Sequence, residues 1–462
     1  MLIEYLIEVS VIKFIFNNQI LVGVECKIMT VNIAIVGAGP AGLYTADALL
    51  KVLPESQIDV FEKYPPPYGL IRYGVAPDHY KTRNTSRQFA RTLEDDNVGY
   101  FCNVDIGSDI TFAELKENYN AIILAVGAYN DRELGIPGEK LPGVYGACAF
   151  VGWYNGHPEF RDLNPKLDQP GVAVIGIGNV ALDVCRVLAK TRNEHANSDI
   201  SEYALQSIEK APLEELHMFG RRGPIEAGFT PKELGETRDL ERCHALVDGD
   251  QLPETVEGEF EGREKGIKEK NLNILKELAD RAVEKKPISM NFSFYSSPKE
   301  ILGVDRVEGI RLEKTEVIDG RAVPTGEEFE VPCGAVVTAI GYHTAPISGV
   351  TLDGGIIKNS GGRVDKGIYV VGWAKRGPSG TIPTNGPDSR DVVDLIASEL
   401  ESTNKAGREA IEALLEKRNI RRINFEDWQL ISEQEFAQAI TPRPRERFTR
   451  VEDMLAVLEK SA

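Results

Sequence analysis

Two stretches of the chain share one order of hydrophobic and polar positions: a β-branched apolar run, a glycine turn, then apolar residues at helical spacing. The first is VNIAIVGAGPAGLYTADALLKV from Val31 and the second GVAVIGIGNVALDVCRVLAK from Gly171. Each predicts a strand leading into a helix, the opening of a βαβ nucleotide-binding unit. QIDVFEK after the first unit and LHMFG after the second read as the next strands.

Between and beyond them the pattern is less regular. A Pro/Tyr/Gly-rich loop from Tyr64 to Tyr80 precedes a helix near Arg83 to Leu93 and the apolar strand AIILAVG from Ala121. The charged stretch from Asp248 to Lys286 predicts surface helix and loop with a solvated face. AVVTAIGY at Ala335 then echoes AIILAVGAY, and IYVVGW at Ile368 leads through a Gly/Pro/Thr loop into a helix from about Pro387 to Glu401. The echo predicts an α/β fold of two Rossmann-like (βαβ) nucleotide-binding domains, the second inserted into a split first. The expected ranges are 30–128 and 335–462 for the two parts of the first domain, the latter ending in a helical segment, and 129–334 for the insertion.

Residues 1–29 look foreign to the rest. Their apolar run is broken by Glu4, Glu8, Lys13, Asn17 and Asn18, which fits neither a membrane span nor a secretory or mitochondrial leader. The expectation is an upstream start, with the functional chain beginning at Met29.

Composition narrows the class. With 462 residues, 42% apolar and 27% charged, the chain is long enough for two or three packed domains. Its net charge of -18 disfavours nucleic acid and acidic membrane surfaces as partners, so neither nucleic-acid binding nor stable membrane insertion is expected. Cys26, Cys102, Cys148, Cys185, Cys243 and Cys333 include no CxxC pair, which argues against electron relay through a dithiol and suits reduced thiols in a cytoplasmic protein. No metal site is expected.

The turns carry the chemistry. Gly37, Gly39 and Gly42 in GAGPAG let backbone and helix N-terminus approach a pyrophosphate, and Glu62, ending the next strand, can accept hydrogen bonds from an adenosine ribose. In the second turn Gly176, Gly178 and Ala181 take the fingerprint positions, but the following strand ends in Arg221 and Arg222. Two guanidiniums suit a 2'-phosphate that a carboxylate would repel, so NADP is favoured over NAD. One resident dinucleotide and one visiting NADPH imply FAD and hydride transfer between the two.

At this point the chain resembles the adrenodoxin-reductase-like ferredoxin–NADP(+) reductases. The resemblance runs from Val31 onward and rests on EKYPPPYGLIRYGVAPDH, GIPGE, FVGWYNGHP, GNVALDVCR, GRRGPIEAGFT, VGWAKRGPSGTIPTN and the C-terminal EDW segment. It implies single-electron delivery to a ferredoxin-type iron–sulfur protein. It implies FAD contacts for Ala41, Glu62, Leu70, Val104, Trp373, Gly380, Thr381 and Ile382. For NADPH it implies Asn179, Val180 and Ala181 at the pyrophosphate, Arg221 and Arg222 at the 2'-phosphate, and Glu233 with Gly380 by the nicotinamide. His79 in VAPDH is similar to the family's histidine near the reactive flavin edge, and His79 and Glu233 are expected in positioning roles. Read without the family, Asp78 beside His79 is a candidate to hold the imidazole in one tautomer.

Two departures stand out. Gly235 replaces an arginine common in relatives, which leaves Arg238, Arg242 and the run from Arg263 to Lys270 as the expected positive patch for an acidic ferredoxin. Pro383 stands where relatives carry a small or β-branched residue, with no loss of FAD expected. Rival functions are an NADPH diaphorase or quinone reductase without a protein acceptor, and an electron-input subunit or scaffold in a larger complex. Against the latter, Cys26 alone precedes the first fingerprint, too few thiols for an iron–sulfur cluster.

Overall fold

The structure, a computed structural model, describes residues 7–16, 19–28, 31–282, 285–401 and 404–461. It divides into two compact units. Met1–Arg72, Arg83–Ala128 and His343–Ile431 form the first, and Tyr73–Thr82, Tyr129–Tyr342 and Ser432–Ala462 form the second.

The first unit is organised around a six-stranded sheet in the order Arg363–Asp365, Ile368–Val370, Ala121–Leu124, Asn32–Val36, Gln57–Glu62, Val98–Cys102. Its pairings are parallel except at the Arg363–Asp365 edge. All five residues of Asn32–Val36 are buried, as a parallel strand covered on both faces requires, and this is why its sequence is a continuous apolar run. Helix Pro40–Val52 packs against helix Asn385–Glu399 through buried hydroxyls: Thr45 Oγ1 donates to Ser389 Oγ at 3.0 Å, and Ser389 Oγ donates to the Ala41 carbonyl at 3.2 Å.

The second unit carries a six-stranded, wholly parallel sheet in the order Cys243–Val247, Ile288–Ser293, Glu215–Phe219, Gly171–Ile175, Ala335–Thr338, Val144–Gly146. The chain is thus an α/β protein of two Rossmann-like domains, the second inserted into the first. An antiparallel sheet of Ser296–Leu302, Gly309–Ile318 and Arg321–Pro332 adds to the second unit. Its outer strand is largely exposed, and Arg311 and Lys299 pair with Glu330, Glu328 and Glu313 across the strands, while Ile310, Leu312, Phe329 and Val331 alternate with these charges and pack on the core.

Several boundaries differ from those read in the sequence. Residues 73–82 and 432–462 lie with the second unit because ion pairs bind them there: Arg186 and Lys190 grip Asp78, Arg443 reaches Glu202, and Arg445 and Arg447 reach Asp199. The helix near Arg83 to Leu93 is two pieces, Tyr80–Arg83 and Ser86–Leu93, and the helix expected from Pro387 starts at Asn385. The charged stretch does contain a surface helix, Gly262–Asp280, which buries Leu272, Ile274, Leu275 and Leu278 on one face and leaves most of its charges on the solvated one. Of residues 1–29 the structure describes only an antiparallel pair, Ile7–Phe16 with Gln19–Ile28, and the proposed start at Met29 falls outside the described residues.

The first unit also holds a buried carboxylate. Asp59, on strand Gln57–Glu62, has no solvent exposure and accepts from Arg408 Nε at 2.7 Å and Tyr119 Oη at 2.8 Å. Burial raises its pKa against the opposing pull of Arg408. Arg408→Met leaves that charge unpaired, and the expected cost at pH 7 is about 3 kcal/mol. Because the folded pKa then rises further above the unfolded value, the cost shrinks as pH falls toward about 4. Urea denaturation across this range checks both the size and the sign.

Candidate functional site

The two fingerprint turns are built alike. Gly37 N–H donates to the Phe61 carbonyl and Gly176 N–H to the Phe219 carbonyl, both at 2.8 Å. Ala125 N–H bonds the Val36 carbonyl at 2.8 Å, and Ala339 N–H bonds the Ile175 carbonyl at 2.7 Å. A Cβ on Gly37, at φ +113°, would lie 2.5 Å from the Ala125 carbonyl oxygen, and one on Gly176, at φ +137°, 2.4 Å from that of Ala339. Neither turn admits a side chain. At Gly42 a Cβ would meet the Gly37 carbonyl at 2.0 Å, whereas beside Gly178 there is open space and beside Gly39 only the Gly69 Cα, at 4.0 Å. The middle glycines therefore leave room for a ligand at the N-termini of helices Pro40–Val52 and Asn179–Ala189, neither of which has a side-chain cap.

In the first unit the structure gathers the expected residues around the turn. Glu62 accepts from Ala38 N–H at 3.1 Å and Tyr64 N–H at 3.4 Å, and burial lifts its pKa to about 7 against these donors. Val104 N–H bonds the Glu62 carbonyl at 3.0 Å, and Tyr68 N–H bonds the Ala38 carbonyl at 2.9 Å, which brings helix Leu70–Tyr73 up to the fingerprint. Gly372, at φ +70°, packs so closely on Ala41 that a Cβ would sit 2.5 Å from the alanine Cβ. Asp388 holds this loop by accepting from Gly372 N–H at 2.7 Å and from Lys375 and Arg376, each at 2.9 Å. Trp373 Nε1 donates to the Ser379 carbonyl at 3.0 Å, and Gly380 and Thr381 lie exposed just ahead of Ile382 and helix Asn385–Glu399.

In the second unit Asn179 Oδ1 accepts from Thr230 N–H at 2.8 Å, and Gly228 N–H bonds the Ile177 carbonyl at 2.8 Å, fastening the segment before Glu233 to the turn. Val180 and Ala181 open the helix, with Ala181 fully buried. Arg221 and Arg222 follow the next strand, their carbonyls tied to Thr315 Oγ1 at 2.7 Å and Tyr295 N–H at 3.1 Å. Among the described residues neither guanidinium has an ion-pair partner. Glu233 Oε2 is buried and accepts no hydrogen bond among the described residues. A buried acceptor and two free cations flanking an open helix N-terminus fit a phosphorylated dinucleotide. Gly380, expected beside Glu233, belongs to the first unit.

His79 departs from expectation. Its neighbour Asp78 does not face it as a tautomer-fixing partner, because both Asp78 oxygens bind Arg186 and Lys190 also grips the carboxylate. The carboxylate beside the imidazole is Glu236, with Oε2 2.9 Å from Nε2. Arg186 Nη2 lies 3.0 Å from the same nitrogen and bonds Asp183 at 2.9 Å. The paired cations hold Asp78 well below the carboxylate range, and His79 with Arg186 lowers Glu236 to about 2 despite its burial. Asp78, His79 and Glu236 are close enough to share a metal ion, but Arg186 and Lys190 already supply the positive charge. Arg186 and Glu236 were missed in the sequence, although GNVALDVCR places Asp183 and Arg186 one helical turn apart. Arg238 and Arg242 are likewise not free cations: Arg238 pairs with Glu277, and Arg242 donates to the Leu188 and Ala189 carbonyls, each at 3.0 Å.

Paired dinucleotide turns on two parallel sheets, one followed by a carboxylate and one by two guanidiniums, define an oxidoreductase of the two-dinucleotide class. The family model described as pyridine nucleotide-disulphide oxidoreductase matches residues 31–211. The mitochondrial NADPH:adrenodoxin oxidoreductase of Arabidopsis thaliana is 37% identical over 457 residues, covering 92% of this chain and 95% of its own. The NADPH-ferredoxin reductase FprA of Mycobacterium leprae is 40% identical over 92% of this chain and 98% of its own. The solved structure of Mycobacterium tuberculosis FprA in complex with NADPH is 38% identical, covers 93% of this chain and 99% of its own, and superposes with a TM-score of 0.88. The chain belongs to this adrenodoxin-reductase-like family of NADPH-ferredoxin reductases. Cys102, Cys148, Cys185, Cys243 and Cys333 are buried free thiols, so the disulphide in the broader family's description has no counterpart among them.

The turn geometry separates two neighbouring glycines by consequence. Gly176→Val, at positive φ and against a carbonyl, is expected to cost more than about 2 kcal/mol of stability. Gly178→Ala, at φ −117° with open space, is expected to keep the melting temperature within a few degrees yet weaken NADPH binding about tenfold, through lost close approach. Thermal melts and NADPH titrations of the two variants distinguish these outcomes.

Proposed function

We propose that this chain is an FAD-dependent NADPH–ferredoxin reductase, which takes a hydride from NADPH and delivers electrons singly to a ferredoxin-type iron–sulfur protein in the cytoplasm. The observation that carries the reading is the opposite chemistry at the ends of two corresponding strands: Glu62 ends the strand after the first turn, and Arg221 and Arg222 follow the strand after the second. A carboxylate accepts from ribose hydroxyls, whereas a free guanidinium pair selects the 2'-phosphate of NADPH.

On this reading Gly37, Gly39, Ala41 and Gly42 cradle the FAD pyrophosphate, Glu62 holds the ribose, and Leu70, Val104 and Trp373 contact the rest of the molecule. Gly178, Asn179, Val180 and Ala181 receive the NADPH pyrophosphate, with Glu233 at the nicotinamide end. Bound FAD supplies the conversion of a two-electron hydride into single electrons. On the same reading Gly380, Thr381 and Ile382, just ahead of a 15-residue helix, meet the flavin ring, and the positive end of that helix is suited to stabilise negative charge on the reduced ring. His79 and Glu233 act as positioning residues. Buried thiols and the absence of a pairable CxxC leave the protein acceptor, rather than a dithiol, as the exit for electrons.

The ferredoxin partner is supported by the relatives' names, and one assay tests it against the diaphorase reading. The yellow protein is reduced with NADPH or NADH and then mixed with ferredoxins, quinones or dyes while flavin absorbance is followed. NADPH reduction with rapid reoxidation by a ferredoxin, slowed by added salt, is expected; reoxidation by quinones and by no ferredoxin would sink the proposal. In the same assay, Arg221→Ala/Arg222→Ala is expected to lose at least tenfold in kcat/KM for NADPH and little for NADH.

A further inference from the structure

Tyr295 lies between strands Ile288–Ser293 and Ser296–Leu302 of the second unit at φ +53°, in the left-handed region that an aromatic residue rarely adopts. Two backbone bonds hold it there. Its N–H donates to the Arg222 carbonyl at 3.1 Å, and its own carbonyl accepts from Thr315 N–H at 2.9 Å. Thr315 in turn donates its hydroxyl to the Arg221 carbonyl at 2.7 Å, and Ser296 N–H donates to the Gly220 carbonyl at 2.8 Å. The tyrosine is thereby laced to the segment that follows strand Glu215–Phe219.

Its ring turns back over that segment. A Cβ on Gly223 would lie 2.4 Å from the Tyr295 hydroxyl and 2.7 Å from Cζ, so the glycine directly after the two arginines makes room for the phenol. Backbone strain of about 1–3 kcal/mol persists only where the surroundings over-determine a residue's place, and such residues cluster at ligand sites. Tyr295 is half-buried, and burial and the Glu226 carboxylate raise its pKa, so the phenol is a donor throughout the neutral range. Glu226 is itself turned to the backbone, its Oε2 accepting from Gly223 N–H at 2.9 Å. Among the described residues the Tyr295 hydroxyl has no hydrogen-bond partner.

We propose that Tyr295 is a specificity-determining residue for NADPH: its hydroxyl donates to the 2'-phosphate alongside Arg221 and Arg222. The inference rests on the reading of the chain as an NADPH-dependent reductase and adds a neutral donor to that site. A phosphate dianion presents three acceptor oxygens, so two guanidiniums leave lone pairs that a phenol can fill without adding charge. A ribose 2'-hydroxyl offers a weaker, uncharged acceptor, so the same phenol favours the phosphorylated dinucleotide.

Tyr295→Phe keeps the ring over Gly223 and removes only the hydroxyl. Calorimetry on the FAD-loaded protein measures binding of adenosine 2',5'-bisphosphate and of adenosine 5'-phosphate, which lacks the 2'-phosphate, without any turnover. Affinity for the bisphosphate is expected to fall about tenfold, the loss of one hydrogen bond to a charged group, and affinity for the monophosphate to change by less than about twofold. The ratio of kcat/KM for NADPH to that for NADH in flavin reduction is expected to fall by the same factor. Unchanged binding of the bisphosphate would overturn the proposal. So would an equal loss for both ligands, which would assign the phenol to the adenosine or to the fold. Wild-type protein that binds the bisphosphate no better than the monophosphate removes the NADPH reading itself, a failure that the wild type alone reveals.

Discussion

The structure depends on one close approach made twice: a backbone carbonyl lying where a side chain would have to be. The Ala125 oxygen closes on Gly37 and the Ala339 oxygen on Gly176, each within 2.5 Å of the place a Cβ would take. Because the strand after the crossover sits this near, the turn is tight, and the helix behind it begins with its N–H groups uncapped and facing open space. Helix N-terminus, sheet order and ligand position are then consequences of the same contact, which is how one arrangement serves two cofactors.

The two copies differ in charge where the neighbouring strand ends. At the end of the neighbouring strand one copy has Glu62 and the other is followed by Arg221 and Arg222, and in the proposed function this exchange of acceptor for donors is what separates a resident dinucleotide from a phosphorylated visitor. Both turns were legible in the sequence because strand, turn and helix are contiguous there. The echo of AIILAVGAY in AVVTAIGY was visible but assigned to the wrong domain: Ala335–Thr338 is a strand of the second sheet, and residues 335–342 lie with the second unit, because Ala339 closes on Gly176 as Ala125 closes on Gly37.

The rest was written in contacts that sequence order conceals. His79 adjoins Asp78 in the chain, yet its carboxylate partner is Glu236, 157 residues away, because Arg186 and Lys190 take Asp78 for themselves. The arginines of the C-terminal segment settle residues 432–462 in the second unit through Asp199 and Glu202, and no local pattern announces such long-range pairing. In both cases a buried charge had to find a partner, and the partner lay far along the chain.

The central claim is that one polypeptide binds two dinucleotides in working relation, and anaerobic titration of the purified protein with NADPH tests it most directly. The account predicts a yellow protein whose flavin absorbance is bleached by an equimolar addition of NADPH and far less readily by NADH. A colourless protein that takes up no FAD, or a yellow one that NADPH leaves oxidised, would contradict it.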